Sequence, residues 1–573
     1  MEIEILHKIG QIYYRTLRSC IAASLIGTLA IPMPLIISRA SAADVSVEGN
    51  SAILENLGRA MQSPDARSSN LPPSRQQNQE RPTLLLPDMG DPGGNALSPL
   101  EERKMGERIM REIRPDPDYS DDLPIYDFLN EMERRLLQAA KKLQLGGANN
   151  QGSAAYNYEV FVVKDPSINA FALPGGFIGF HTGLIVAAES ESEVASVMGH
   201  ETGHVLQRHL ARQMDKQTTN TMIALAGALL GALAAAKNPA AAQGLITGGQ
   251  ALAINNQLSY SRDAEREADR IGFEILQGSG YDVNAMPLFF QRLQKATGIM
   301  DKGIPEYVRT HPLTTDRIAD MQDRARVVPV RNIPPTIEFY LIKARARVEQ
   351  QSSSSGLYDL RLIFDSLSKQ SQPEKQLEGY YGLALVAQRQ GKIDQAEGFL
   401  QKARNITQAV IAPGSPIQRQ SISLDVTSAE LALAKGKAAE SLQIAQASVK
   451  AFPQSYAAPV AMINAELKLG RNTEAITWLK NRTKLQASEP LWWSLLAAAY
   501  RQDNKPALHH FALAEKFALE GALPYAIDQL KIARSIGGTD FYQASTIDAR
   551  IRDYQRMYRE QQQDEGKQIR RPS

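Results

Sequence analysis

The chain has 573 residues, with 64 Lys and Arg against 62 Asp and Glu and a formal net charge of +2. That balance argues against nucleic acid or another polyanion as partner, and the length predicts two or more domains. Cys20 is the single cysteine, so neither an internal disulfide framework nor a cysteine-based metal site is available.

Residues 1–42 read as an export signal. Lys8, Arg15 and Arg18 precede an apolar run from Ile21 to Ile37, and Ala40-Ser41-Ala42 offers a cleavage site before Ala43. The long amino-terminal region, with Glu2 and Glu4, leaves an uncleaved anchor as the alternative. These 42 residues hold four basic and two acidic side chains, so the cut chain is neutral, and it has no cysteine. Residues 43–84 are rich in Ser, Asn, Gln, Pro and Arg and predict a disordered leader.

Asn169 to Phe180 predicts strand, tight turn, strand around Pro174-Gly175-Gly176. An exposed strand beside a reactive site can take an extended substrate as an added strand. Asn169, Ala170, Phe171, Ala172, Gly175 and Gly176 are therefore candidate substrate-binding residues. An ordinary hairpin packing the core is the competing reading. His181 reads as structural.

His200-Glu201-Thr202-Gly203-His204 is an H-E-x-x-H pentapeptide. No proline interrupts 190–216, and the apolar spacing predicts one helix there. Residues four apart share a helical face, so both imidazoles can grip one metal ion, and Glu201 can activate a water beside it. His209 falls off that face and is expected to be without a role. Residues 221–236 carry no charge but are short for a membrane span of about 20 apolar residues. Buried helices over 221–258 are expected, with peripheral membrane contact as the alternative.

Ser261 opens a charged, helix-favouring run that contains Glu265 and Asp269 on one face. Glu265 is the candidate third ligand, since a catalytic zinc takes three protein ligands and keeps one position open. Asp269, one turn on, could hold the outer nitrogen of a ligand histidine. Taken alone, the run also fits a solvated face of charge pairs. Thr310-His311-Pro312 follows, with Arg317.

From about residue 336 the chain turns Ala-, Leu- and Gln-rich with helical periodicity. Gly391, Ala396, Leu400 and Ala403 recur as Gly521, Ala526, Leu530 and Ala533, and Gly470, Ala475 and Leu479 keep the first three. Gly436 fits more loosely. This pattern predicts stacked helix pairs turning at glycine, with a concave surface for protein segments. His509 and His510 are expected to be solvated, and the polar tail 560–573 to be flexible.

Taken together, H-E-x-x-H, the S-R-x-x-E-x-E-A-D-R-I-G block, residues 168–176 and Thr310-His311-Pro312 with Arg317 resemble the HtpX-like and CAAX-prenyl-protease superfamily of zinc metallopeptidases. The carboxy-terminal pattern resembles tetratricopeptide repeats. The resemblance covers about 85–550. It implies an α+β zincin-like metallopeptidase domain over 85–330, then an all-α tetratricopeptide-repeat solenoid over 336–559. It assigns His200, His204 and Glu265 as ligands of one Zn2+, Glu201 as general base and Asp269 as supporting carboxylate. It further implies that His311 can occupy the metal's open position and restrain the enzyme, and that Arg317 assists. Either Arg317 or a displaced His311 could serve a tetrahedral oxyanion.

The resemblance also implies a periplasmic endopeptidase acting on polypeptides in outer-membrane protein quality control, with chaperone-like activity. Its partners would be outer-membrane barrel proteins and their assembly machinery. Two alternatives remain: a repeat-based chaperone or scaffold whose zinc site is mainly inhibitory, and a membrane-associated peptidase.

Overall fold

A computed structural model describes residues 97–145, 158–214, 261–299, 305–329, 336–410 and 421–569, all within one unit, Asp88–Ser573. The expected export signal, the leader 43–84 and the segment 221–258 lie outside the described residues. No described helix is long and apolar enough to cross a membrane.

Helix α1 (Pro99–Ile113) starts with a capping box: Ser98 accepts from the Glu101 amide, and Glu101 accepts from the Ser98 amide. Helix α2 (Leu123–Lys142) buries Ile125, Leu129, Met132 and Leu136, a stripe at helical spacing, against the main core. Three short strands follow, β1 (Glu159–Val163), β2 (Ala170–Leu173) and β3 (Phe177–His181). They lie in the order β1-β3-β2, with β1 parallel and β2 antiparallel to β3. Every residue of β3 is buried. The predicted strand–turn–strand is therefore present, and β2 forms an edge of the sheet among the described residues.

Helix α3 (Thr182–Ala187) leads into α4 (Glu191–Leu206), which carries the pentapeptide and is buried on all sides. The predicted single helix over 190–216 is instead two. Gln207 and Arg208 break it, with Arg208 in the left-handed region at φ 51°, before α5 (His209–Met214) begins. Arg208 is held there by Glu102 and by the carbonyl of Leu97. Helix α6 (Arg262–Gly278) is capped by Ser261, whose hydroxyl accepts from the Ala264 amide at 3.2 Å.

Helices α4 and α6 cross where both carry small residues. A Cβ on Gly203 would lie 2.9 Å from the Ala268 carbonyl oxygen, and one on Gly272 would lie 2.9 Å from the Gly199 backbone. That approach brings the acidic face of α6 onto the pentapeptide. Helices α7 (Ala285–Ile299), α8 (Glu306–Thr310) and α9 (Thr315–Arg326) complete the part of the fold that carries the pentapeptide.

Beyond it, α10 (Ile337–Glu349) leads into helices that pack on their neighbours in chain order, from α11 (Ser354–Ser368) to α21 (Phe541–Ile569). Gly391, Gly436, Gly470 and Gly521 all turn with positive φ, as expected of helix ends. Asn504 (φ 54°) takes the same role, so Gly436, Gly470 and Asn504 mark a 34-residue period that glycine alone conceals. Gly521 lies half a repeat later than Asn504. Helix α21 runs on to Ile569, through residues expected to form a loose tail. His509 and His510 are part-buried, at 2.8 Å from the Ala497 carbonyl and 2.6 Å from Gln529, rather than simply solvated.

Candidate metal centre

Four buried donors meet on three elements. His200 and His204 project from α4, Glu265 from the first turn of α6, and His311 follows α8. One donor atom from each lies within 4.8 Å of all the others. Bonds of about 2.0–2.1 Å to a tetrahedral ion place neighbouring donor atoms about 3.3 Å apart. Here His204 Nε2 is 3.0 Å from His200 Nε2, and His311 Nδ1 is 3.4 Å from His200 Nε2. Glu265 lies 3.5 Å from His200, 3.6 Å from His204 and 2.9 Å from His311. The donor types and their spacing fit a divalent ion such as zinc.

The surroundings act differently on each ligand. Burial pushes the His200 imidazole down, but Asp269 and Glu265 outweigh it and raise it to about 9. Burial would raise Glu265 too, yet His311 and His200 hold it well below the usual carboxylate range. Burial, then His200, push His204 well below the usual histidine value.

Glu201 stands beside the donors. Its carboxylate is fully buried, 3.6 Å from His311 Nε2, and neither oxygen has a well-formed hydrogen bond among the described residues. Burial raises its pKa, while His311, His200 and the Ala172 amide pull it back. A buried carboxyl shifted upward beside the donors suits a group that must take up and return a proton.

A family model for peptidase family M48 matches residues 130–325, and one for the tetratricopeptide repeat matches 432–499. The beta-barrel assembly-enhancing protease of Escherichia coli O157:H7 is 32% identical over 466 residues, covering 81% of this chain and 90% of that protein. Its counterpart in Yersinia pestis is 30% identical, with 82% and 92% covered. The mitochondrial metalloendopeptidase OMA1 of Arabidopsis thaliana is 30% identical over 223 residues, 38% of this chain and 41% of that one. This chain belongs to peptidase family M48. It is a metallopeptidase carrying tetratricopeptide repeats.

Within this M48 site the outer residues are as informative as the inner ones. His200 Nδ1 lies 3.0 Å from Asp269 Oδ1. Arg317 grips both Asp269 oxygens, through Nε at 2.6 Å and Nη2 at 2.7 Å. Its Nη1 lies 2.7 Å from Glu265 and donates to the Pro312 carbonyl at 2.9 Å. Every guanidinium nitrogen is thus engaged. Arg317 orients Glu265 and Asp269, and the expectation of a donor waiting for an oxyanion does not fit that geometry. Tyr307 stacks on His311, ring centres 4.8 Å apart, with its hydroxyl buried.

The edge strand also resolves into different parts. The His181 amide donates to Asn169 at 3.1 Å, which makes that pair hydrogen-bonded. By antiparallel alternation Phe171 and Leu173 also bond to β3, while Ala170 and Ala172 turn their amides and carbonyls away from it. Ala172 faces Glu201. Gly175 and Gly176, expected among the substrate-binding residues, are instead buried in the turn under α1, where a Gly175 Cβ would meet Arg103 at 2.6 Å. Their positive φ values, 78° and 89°, explain the residue type. Asn169 and Ala170 are buried as well, leaving Phe171 and Ala172 half-exposed.

His181, as expected, is structural: it is buried, with Nδ1 2.8 Å from the Ser167 hydroxyl. His209 departs from expectation, because it lies buried against His204. No residue at the break signals it, since Gln207 and Arg208 are both ordinary helix formers.

Proposed function

We propose that this metallopeptidase is a zinc-dependent endopeptidase, exported by cleavage between Ala42 and Ala43 to the periplasm. There it would remove misassembled polypeptides during outer-membrane protein assembly. The observation that carries the catalytic reading is the convergence of His200, His204, Glu265 and His311 with Glu201 at its side. Zinc held by the first three would polarise a scissile carbonyl and acidify a water. Glu201 takes the proton from the attacking water and returns it to the leaving amine. Asp269 and Arg317 hold the ligands in orientation. The outward carbonyl of the half-exposed Ala172 accepts from the main chain of an extended substrate, so recognition is by main chain and tolerant of sequence.

His311 would restrain the enzyme. Its Nδ1 sits among the donors, in the position that water needs, and activity requires the ring to swing away. The catalytic domain spans 85–330 and the repeats 336–559, the latter positioning barrel proteins and their assembly machinery as clients or partners. The relatives' name, beta-barrel assembly-enhancing protease, supports that assignment. Purified wild type, Glu201→Gln and His311→Ala are compared for zinc content and cleavage of an unfolded protein. All three are expected to bind zinc, with Glu201→Gln inactive and His311→Ala faster. An inactive His311→Ala would remove the restraining role.

The fourth donor also favours a second reading, in which the repeats act as a scaffold and the metal mainly inhibits. Glu201→Gln separates the two in cells, since a scaffold keeps its function and a protease loses it.

A further inference from the structure

The two histidines of the pentapeptide are supported differently. His200 meets a carboxylate directly, at Asp269. His204 meets a second imidazole: its Nδ1 lies 2.9 Å from Nδ1 of His209, with the rings 4.9 Å apart at 73°. His209 Nε2 in turn lies 2.9 Å from Glu267 Oε2, and Arg212 Nη2 reaches the same oxygen at 2.8 Å. His209 is 3% exposed.

The proton positions along this chain follow from donor and acceptor chemistry. An ionised Glu267, paired with Arg212, only accepts, so His209 Nε2 carries a hydrogen. A neutral imidazole then has its lone pair on Nδ1. That lone pair accepts from Nδ1–H of His204, which leaves the lone pair of His204 on Nε2, the nitrogen that faces the other donors. The order of donation is His204 to His209 to Glu267. Resting on the reading of His204 as a metal ligand, we infer that His209 is a positioning residue that fixes the tautomer and ring orientation of His204 for metal binding.

The break in the helix is what makes this possible. In one continuous helix, His209 would sit about 140° around the axis from His204. The left-handed turn at Arg208, anchored by Glu102 and Leu97, folds α5 back so that the two rings meet.

The test measures zinc affinity of the full chain against a competing fluorescent chelator, with the visible spectrum of the Co2+ form and the melting of each metal-free variant. Losing the outer partner of a ligand histidine weakens metal binding about 10–100-fold. His209→Phe keeps the bulk, and His209→Gln places its amide nearer Glu267 than His204, so both are expected to show that loss and an altered Co2+ spectrum. His209→Asn places an amide oxygen near the position of Nδ1 and is expected to recover most of the affinity. Unchanged affinity and spectrum in His209→Phe and His209→Gln would overturn the role, as would an Asn variant as weak as Phe at equal metal-free stability. His204→Ala runs alongside. If wild type binds zinc and His204→Ala does not, the reading of His204 as ligand stands whatever His209 does. A wild type that binds none overturns both.

Discussion

At the residue scale the site is a set of charges balanced by burial. Glu133 on α2 shows how far that reaches. It is fully buried against the hydroxyl of Thr202, inside the pentapeptide, and burial lifts its carboxyl to about 8. The Thr202 hydroxyl donates to the Met198 carbonyl, so a protonated Glu133 donates to Thr202. An unfolded glutamate ionises near 4.5 while the folded one keeps its proton to about 8, so between those values the native state binds more protons. The contribution of Glu133 to wild-type stability therefore falls as pH rises through that window. Glu133→Gln has no such proton to lose. Denaturant titrations from pH 4.5 to 8 are expected to show the variant gaining on wild type as pH rises; parallel curves would mean Glu133 is ionised throughout. Glu265 could be proposed as third ligand from the sequence because ligand chemistry names its residue type. His209 could not, since its role depends on a backbone turn at an arginine, a residue with no special preference for positive φ.

At the element scale the decisive contact is the crossing of α4 and α6 through Gly199, Gly203, Ala268 and Gly272. Adding one methyl there wedges the ligand-bearing helices apart. Gly272→Ala is expected to destabilise the fold by about 1–3 kcal/mol, the usual cost of overpacking, and to weaken zinc binding with it. Chemical denaturation and chelator competition on the same sample check both. In the repeats, the left-handed turn at Gly470 (φ 72°) has nothing near its Cβ position, so Gly470→Ala tests backbone strain alone. About 1 kcal/mol of destabilisation is expected. The repeat was legible through its glycines and small residues, and Asn504 was missed because asparagine, too, tolerates that conformation. Strand, turn and strand over 169–180 were legible from apolar spacing. Which of those residues face a substrate was not, because that depends on hydrogen-bond phase and on the cover supplied by α1.

At the scale of the whole molecule, the repeats are joined to the catalytic half by buried polar contacts between residues far apart in sequence. Asp122, which caps α2, pairs with Arg345 of α10 at 2.7 Å, and Arg345 also donates to Tyr381 and Thr427. Asp127 accepts from the amides of Tyr456 and Ala457 at 2.8 and 3.0 Å, and so caps a repeat helix from the catalytic side. No periodicity encodes such pairs, which is why the sequence predicted two domains without predicting how they join. Removing one partner of a buried pair costs about 3–5 kcal/mol. Arg345→Ala is thus expected to lower the melting temperature markedly and to let the repeats melt separately, as calorimetry would show; a single unshifted transition would contradict that coupling. All of this serves one centre, and the most direct measurement is anomalous scattering at the zinc edge from crystals of the zinc-loaded full chain. The expected result is one ion bound by His200, His204 and Glu265, with His311 Nδ1 as the fourth donor. An ion elsewhere, or one bound without Glu265, would contradict the assignment.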